Sequence, residues 1–163
     1  TTLESWNRIL EINLTGAYLC SKAVLPHMRQ HKFGRLGFIS SAGAFMGSVT
    51  GHVAYGASKA AVHFLTRNLA VRLARKGLTV NAIAPGPFES KMMAHTLAQF
   101  QDRIEKENPM GRIGSPRDMA GLALFLASSA ARASRVFLTM VNSTPPARMA
   151  RRSSTIWFTG MPE

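Results

Sequence analysis

Apolar residues recur at helical spacing near the start of the chain, at Leu3, Trp6, Leu10, Leu14, Ala17 and Tyr18. This spacing predicts an amphipathic helix that ends near His27. Thr1, with Glu4 three residues later, is typical of a capping box at its start. The pattern then changes to a continuous apolar run over residues 36–40, after a turn at residues 33–35. That run predicts a short buried strand.

A second helix followed by a second strand is predicted further along the chain. Residues 53–76 have helical spacing, with the inward positions Ala57, Ala61, Phe64, Leu65, Leu69 and Leu73. Gly77 is the type of residue that follows a helix C-terminus. Residues 78–83 form another apolar run that Pro85 stops, which predicts a second buried strand.

A third helical region completes an alternation of helices and strands. Less regular helical sequence reaches Glu107, and Ser115, Pro116 and Asp118 then have the order of a helix N-terminus, with that helix ending near Ser128. Helices that alternate with apolar strands predict an α/β fold, a doubly wound parallel sheet in three layers with right-handed crossovers. Ligands of such sheets bind outside the carboxyl ends of the strands.

Length and composition indicate a globular protein. The 163 residues are 46% hydrophobic and 17% charged, which suits one ordinary domain with a core. No apolar run approaches the ~20 residues of a membrane span, and the first residues lack the features of a signal peptide. The single cysteine, Cys20, excludes an internal disulfide and fits a reducing compartment. We therefore expect a cytoplasmic protein without a metal, with Cys20 as a buried structural thiol.

The net charge of +12 raises the alternative of a nucleic-acid-binding protein. The basic residues are spread over several predicted helices, and five arginines lie within residues 130–163. The aromatic residues that follow the last of these arginines, and could stack on bases, are Trp157 and Phe158. We therefore favour a solvated basic surface. The five histidines are scattered, and we expect them at surface or flanking positions without a catalytic role.

The residues with the most informative chemistry are Tyr55 and Lys59, which a helix places one turn apart on the same face. An ammonium group at that distance can lower the pKa of a phenol from its usual value of about 10. A phenol tuned in this way exchanges protons with a substrate oxygen at neutral pH. Ser41 follows the first predicted strand and the Pro85–Gly86 pair follows the second. These groups are therefore expected to line one crevice.

The order of these motifs resembles the second half of a short-chain dehydrogenase/reductase. The resemblance covers residues 1–129, and its style is nearest to 3-oxoacyl-carrier-protein reductases and related bacterial ketoreductases. It rests on Trp6-x6-Asn13-Leu14-x-Gly16, on the GRLGFISS run of residues 34–41, on AYGASKAA at 54–61, on VNAIAPG at 80–86, on PMGR at 109–112 and on GSP at 114–116.

The resemblance implies a catalytic group for each step of a ketone reduction. Tyr55 would be the general acid–base, while Lys59 would lower its pKa and hold the nicotinamide ribose. Ser41 would orient the substrate oxygen, with the adjacent Ser40 as the alternative. Asn13 would anchor a water in the proton relay, although an asparagine inside a helix can also simply bond nearby backbone.

The same resemblance implies NADP or NAD as cofactor and a small carbonyl or alcohol substrate. Pro85, Gly86 and Phe88 would border the nicotinamide. Ser90 would contact its carboxamide, or cap the following helix, or do both. The methionines at 92 and 93 would cover the substrate. The intact family form is expected to be a homo-oligomer that pairs helices such as residues 53–76.

Two departures from the family pattern limit these expectations. The glycine-rich dinucleotide turn is not present in the sequence, so we expect the first βαβαβ half to be missing from this chain. We predict a dehydrogenase half at residues 1–129 that is poorly stable and has little or no activity by itself. Residues 130–163 are predicted to be a basic, irregular tail, in which residues 136–141 are the one possible strand. The alternative function is a non-catalytic fragment that associates with full-length homologues.

Overall fold

The first part of the chain forms one long helical segment. The computed structural model describes residues 1–45, 52–133 and 138–141. Helix α1 (Leu3–Leu10) continues through a π-helical turn (Glu11–Thr15) into α2 (Gly16–Gln30). Thr2, and not Thr1 as predicted, caps α1, because its side chain accepts a hydrogen bond from the Ser5 N–H at 3.2 Å. The segment also extends three residues beyond the predicted end at His27.

Strands and helices then alternate. The later elements are β1 (Gly34–Ile39), a 3₁₀ turn (Ala42–Ala44), α3 (Val53–Leu73), a 3₁₀ turn (Ala74–Lys76), β2 (Leu78–Pro85), α4 (Ala94–Glu107), α5 (Pro116–Ala127), a 3₁₀ segment (Ser129–Ala133) and β3 (Leu138–Val141). Gly77 has φ of +78°, which confirms it as the left-handed residue after a helix. Ser115 opens α5 as predicted, since its N–H and hydroxyl both donate to the Asp118 carboxylate.

The three strands form one parallel sheet in the order β1-β2-β3. Gly34 pairs with Leu78 at the start of β1, and Ile39 pairs with Ile83 at its end. Strand β3 lies beside the end of β2, within the segment for which irregular structure was predicted, and it occupies most of the possible strand at residues 136–141. The predicted α/β class with parallel strands is confirmed. Residues 134–137 and 142–163, with four of the five tail arginines and the aromatic residues Phe137, Trp157 and Phe158, lie outside the described residues.

Helices cover both faces of the sheet. On one face Phe38, Val80 and Ala82 pack with residues of α2 and α3 in the largest apolar cluster, whose other buried members are Leu25, Val62, Ala70, Leu73 and Leu78. Side chains alternate along a strand, so Arg35 points to the opposite face. There its Nε donates to the carbonyl oxygen of Ser128 at the end of α5, at 3.2 Å.

Several burial predictions are wrong. Cys20 is exposed on α2, because that side of the helix faces away from the sheet. Phe64 is 67% exposed, since on α3 it lies on the side opposite the buried Val62 and Thr66. His63, expected near the surface, is buried instead, with only 9% of its surface exposed. Because α3 has apolar residues on every side, its sequence does not show which stripe of residues faces the core.

Candidate active site

The end of β1 carries two serines with different surroundings. Ser40 is buried, and its hydroxyl donates to the carbonyl oxygen of Lys59 at 3.0 Å and lies 2.9 Å from His63 Nε2. Ser41 is half-buried and caps the 3₁₀ turn that follows, because its Oγ accepts from the Gly43 N–H at 3.2 Å. The Ser40 hydroxyl is thus engaged with α3, so the geometry favours Ser41 over Ser40 as the serine that meets a substrate.

The first turns of α3 carry Tyr55 and Lys59, both half-buried. The Lys59 Nζ lies 5.6 Å from the centre of the Tyr55 ring and donates to the carbonyl oxygen of Ile39 at 2.9 Å. Burial lowers the pKa of the Lys59 ammonium below its usual range, because a charged group loses hydration there. The predicted pair is therefore brought together at the carboxyl end of β1.

A close backbone approach joins the turn of Ser41 to the helix of Tyr55. A Cβ added to Gly56 would lie 3.3 Å from the carbonyl oxygen of Gly43, the residue whose N–H binds Ser41. A larger residue at position 56 would push this turn away. The glycine beside the tyrosine therefore lets the turn that holds Ser41 approach the helix that carries Tyr55.

Asn13 is held against the same helix. It lies in the π-helical turn, and its Nδ2 donates to the Oγ of Ser58 at 3.0 Å rather than to nearby backbone. The Ser58 hydroxyl in turn donates to the carbonyl oxygen of Tyr55 at 2.7 Å. A π turn is often found at a functional site. Here the π turn directs the Asn13 side chain towards the turn of α3 that carries Tyr55.

The residues predicted to border the cofactor follow β2. Pro85, Gly86 and Phe88 are half-buried, and Phe88 forms a parallel bridge with Gly114. A Cβ on Gly114 would lie 2.5–2.7 Å from carbons of the Phe88 ring, so the ring rests directly on this glycine. Gly114 also donates its N–H to the Pro87 carbonyl oxygen at 2.9 Å.

Ser90 is exposed and does not cap α4. Its Oγ accepts from the Met93 N–H at 3.2 Å, within a turn that precedes the helix, and Met93 itself is the N-cap residue. Residues 89–113, which include Met92, Met93 and α4, therefore form an excursion whose two ends are tied together by the Phe88–Gly114 bridge. Met92 is 72% exposed on this excursion.

Two residues near the site were missed by the sequence reasoning. His63 contacts Ser40, and Gly114 supports Phe88. The first could have been found from its position one turn after Lys59 on the same helix face. The second has no local signal, because its contact partner lies 26 positions earlier in the sequence.

Within the described residues, no three His, Cys, Asp or Glu side chains group as metal ligands would. Among the described helices, none combines the length and apolar character that crossing a bilayer requires. What the crevice offers is a phenol, an ammonium and a hydroxyl group beside the ends of two parallel strands. Such a set can move a proton to and from a substrate oxygen.

A parallel sheet with a Tyr-x-x-x-Lys helix and a serine at its strand ends defines a class of NAD(P)-dependent oxidoreductases. The chain belongs to this class, the short-chain dehydrogenase/reductase family: residues 1–139 match the family model described as "Enoyl-(Acyl carrier protein) reductase". The predicted family membership is thereby confirmed.

Relatives with several substrates match the chain. It is 38% identical to the 3-oxoacyl-[acyl-carrier-protein] reductase FabG of Aquifex aeolicus over 130 residues, 80% of this chain and 52% of that protein. It is 39% identical to the 5-keto-D-gluconate 5-reductase of Escherichia coli over 78% of this chain and 50% of that protein. The crystal structure of a gluconate 5-dehydrogenase from Burkholderia cenocepacia in complex with NADP and tartrate matches with a TM-score of 0.82 and 30% identity, over 87% of this chain and 56% of that chain. The chain thus spans about half the length of these relatives.

Proposed function

We propose that this chain carries the catalytic half of an oxidoreductase that interconverts a ketone and a secondary alcohol with NADP or NAD. The observation that carries the proposal is the position of the Lys59 ammonium, which donates to the Ile39 carbonyl oxygen at 2.9 Å and lies 5.6 Å from the centre of the Tyr55 ring. This arrangement puts a cation beside a phenol at the strand ends, where doubly wound sheets bind their ligands.

The proton chemistry is assigned to four side chains. During reduction Tyr55 gives its phenolic proton to the substrate oxygen, and during oxidation it takes that proton back. Ser41 orients the same oxygen by hydrogen bonding from the turn that contacts Gly56. Lys59 places its positive charge 5.6 Å from the centre of the Tyr55 ring. Asn13 holds the first turn of α3 through Ser58 and supports the relay towards Lys59.

The residues present fit a nicotinamide cofactor. The Lys59 ammonium, which already donates to a backbone carbonyl, can donate to ribose hydroxyls. Pro85, Gly86 and Phe88 offer half-buried surface for the nicotinamide ring, and Ser90 offers a hydroxyl near its carboxamide. When bound, the cofactor supplies or accepts the hydride. The NADP named for the Burkholderia structure supports NADP as the cofactor to test first.

The proposed substrate is a small ketone, with 3-oxoacyl thioesters and keto-sugar acids as the leading candidates. The names of the Aquifex and Escherichia relatives support both classes. The exposed methionine on the excursion supports an adaptable apolar cover, since methionine adjusts its shape readily.

We further propose that residues 1–129 are the second half of a doubly wound, three-layer domain, and that the basic segment 130–163 extends from it. The half-length match supports this division, as does the single neighbour that β1 has among the described residues. The lone cysteine supports a cytoplasmic location, where thiols stay reduced. Nucleic acid is not proposed as a partner.

A second candidate function is association with longer homologues, without catalysis. Val53, Phe64 and Val71 are each at least 67% exposed and follow one side of α3, and Tyr18 and Leu19 add apolar surface on α2. A helix pair between subunits, or in a homo-oligomer, would cover this surface. Co-elution with an intact relative, lost in a Phe64→Glu, Val71→Glu variant, tests this candidate.

The catalytic proposal is tested by mixing the purified chain with NADPH and a β-ketoacyl thioester and following the absorbance of NADPH. We expect little or no turnover from the chain alone. A chimera in which residues 1–129 replace the matching half of the Aquifex reductase is expected to turn over. Absence of turnover from a folded chimera, with both thioester and keto-sugar acid, would contradict the proposal.

A further inference from the structure

We propose that the buried pair of Ser40 and His63 is a positioning device that holds Lys59 at the end of β1. The inference rests on the proposed function, because the position of Lys59 matters for catalysis only if Lys59 serves the site. Neither residue touches the crevice as a catalytic group would. Both residues act on the site indirectly, by holding the backbone and side chain of Lys59 in position.

Two neighbouring residues of the strand end hold the two ends of Lys59. The Ser40 hydroxyl donates to the Lys59 carbonyl oxygen at 3.0 Å, and the Ile39 carbonyl oxygen accepts from the Lys59 Nζ at 2.9 Å. The strand end is itself fixed, because the Ser40 N–H donates to the Ile83 carbonyl oxygen at 2.7 Å. The position of the ammonium is therefore set by the sheet as well as by its own helix.

His63 completes the connection from one turn further along α3. Its Nε2 lies 2.9 Å from the Ser40 Oγ, and its ring packs against that of Phe45 at 4.4 Å between centroids. The Ser40 hydroxyl has one proton, which it gives to the Lys59 carbonyl oxygen. His63 must then donate from Nε2 to Oγ, which assigns the Nε2–H tautomer. The result is a chain of two hydrogen bonds, in which the imidazole donates to the Ser40 hydroxyl and that hydroxyl donates to the Lys59 carbonyl oxygen.

The neutral imidazole is required for this chain. Within the described residues, His63 Nδ1 is buried without a hydrogen-bond partner, so protonation there would create a buried donor with nothing to bind. Arg67, which also disfavours the charged form, is one turn further along the helix. An unpaired acceptor at Nδ1 of a neutral ring costs less free energy than an unpaired donor at Nδ1 of a charged ring. His63 therefore acts as a fixed donor and not as a proton carrier.

The test measures Lys59 directly, without relying on catalysis. The full chain is labelled with ¹⁵N-lysine, and the Lys59 ammonium resonance is identified by its loss in Lys59→Arg. We expect Ser40→Ala and His63→Phe each to raise the pKa of Lys59 towards its usual value, because a loosened turn lets water reach Nζ. The double variant is expected to shift the pKa no further than the larger single shift. His63→Gln, which retains a side-chain N–H donor, should restore most of the wild-type titration.

Thr66→Val is the matched control. The Thr66 hydroxyl is buried on the same helix and donates to the Val62 carbonyl oxygen at 2.7 Å, so its loss removes a similar hydrogen bond away from Lys59. This variant is expected to leave the Lys59 titration unchanged. His63→Phe keeps Ser40 and an aromatic ring against Phe45, which gives a second reading if Ser40→Ala does not fold. An unchanged Lys59 pKa in either folded variant would overturn the proposal.

A kinetic reading separates this proposal from the proposed function. In the active chimera, Ser40→Ala and His63→Phe are expected to lower kcat about 10-fold more than Thr66→Val does, with little change in KM. Equal losses in all three would reject the positioning role. If Lys59→Met leaves turnover intact, the proposed function fails instead, whatever the Lys59 titration shows.

Discussion

Asn13 donates a hydrogen bond from its Nδ2 to the Oγ of Ser58, 3.0 Å away, across 45 positions of sequence. We expect Asn13→Ala to lower the free energy of unfolding by about 1–2 kcal/mol, because a half-buried hydrogen bond is lost. Urea denaturation measures this change. Asn7→Ala, at an exposed position of α1, is the control and should have little effect. If Asn13→Ala and Ser58→Ala destabilise independently, so that their effects simply add, the two side chains are not coupled.

Gly77 is expected to tolerate no side chain. Its φ of +78° is left-handed, and an added Cβ would collide with the Lys32 carbonyl oxygen. Gly77→Ala should therefore lower the free energy of unfolding by about 1–3 kcal/mol. Gly37→Ala is the control, because nothing lies within 4 Å of a Cβ there. Equal denaturation midpoints for the two variants would show that the turn after α3 adapts freely.

Gly114→Ala is expected to disturb Phe88. The added methyl group would overlap the Phe88 ring and cost about 1–3 kcal/mol in stability. Phe88→Leu in the same chain should recover part of this loss, since the smaller side chain leaves room. Gly121→Ala, where a Cβ meets nothing within 4 Å, is the matched control. Denaturation of the wild-type chain and of these three variants measures the losses. If the double variant recovers no stability, the result would argue against the contact between Gly114 and Phe88.

Acid is expected to destabilise the chain through His63. Burial, and then the charge of Arg67, lowers the pKa of His63 to about 4, whereas an unfolded histidine titrates near 6.5. Between these values the unfolded chain binds a proton that the folded chain does not. The free energy of unfolding therefore falls as the pH decreases from about 6.5 to about 4, by up to about 3 kcal/mol from this group. Denaturation at a series of pH values should show a smaller loss in His63→Gln than in the control His52→Gln.

Tyr55→Phe tests the central catalytic assignment. Removal of the phenolic hydroxyl should lower kcat of the active chimera about 10²–10⁴-fold, the usual contribution of a general acid. Tyr18→Phe, on the exposed side of α2, serves as the control and should keep its activity. Turnover by Tyr55→Phe at the wild-type rate would remove Tyr55 from the mechanism.

The parallel alternation of elements could be predicted because β1 and β2 are each a short apolar run bounded by turn residues. Gly77 and the Ser115–Asp118 cap were predictable for a similar reason, since both depend on residues that are neighbours in the sequence. The Tyr55–Lys59 pair is also local, one turn of one helix. All of these depend on interactions that the sequence itself displays.

Contacts between distant elements could not be predicted in the same way. The Ser40–His63 and Asn13–Ser58 hydrogen bonds join residues 23 and 45 positions apart, and periodicity says nothing about which side chains meet. Phe64 was misplaced because α3 has apolar residues on several sides, so hydrophobicity alone does not select the buried one. The π-helical turn was missed because it adds a residue to the helical repeat without a sequence signal.

Among the described residues, β1 has β2 as its only neighbour in the sheet, so its other edge presents unpaired backbone groups. That edge ends two residues before Ser41, at Ile39, which is 51% exposed. A second polypeptide that supplied an adjoining strand would therefore complete the sheet directly beside the crevice. This makes the edge a natural junction for a split-protein reporter, in which a signal appears only when two separately made pieces meet.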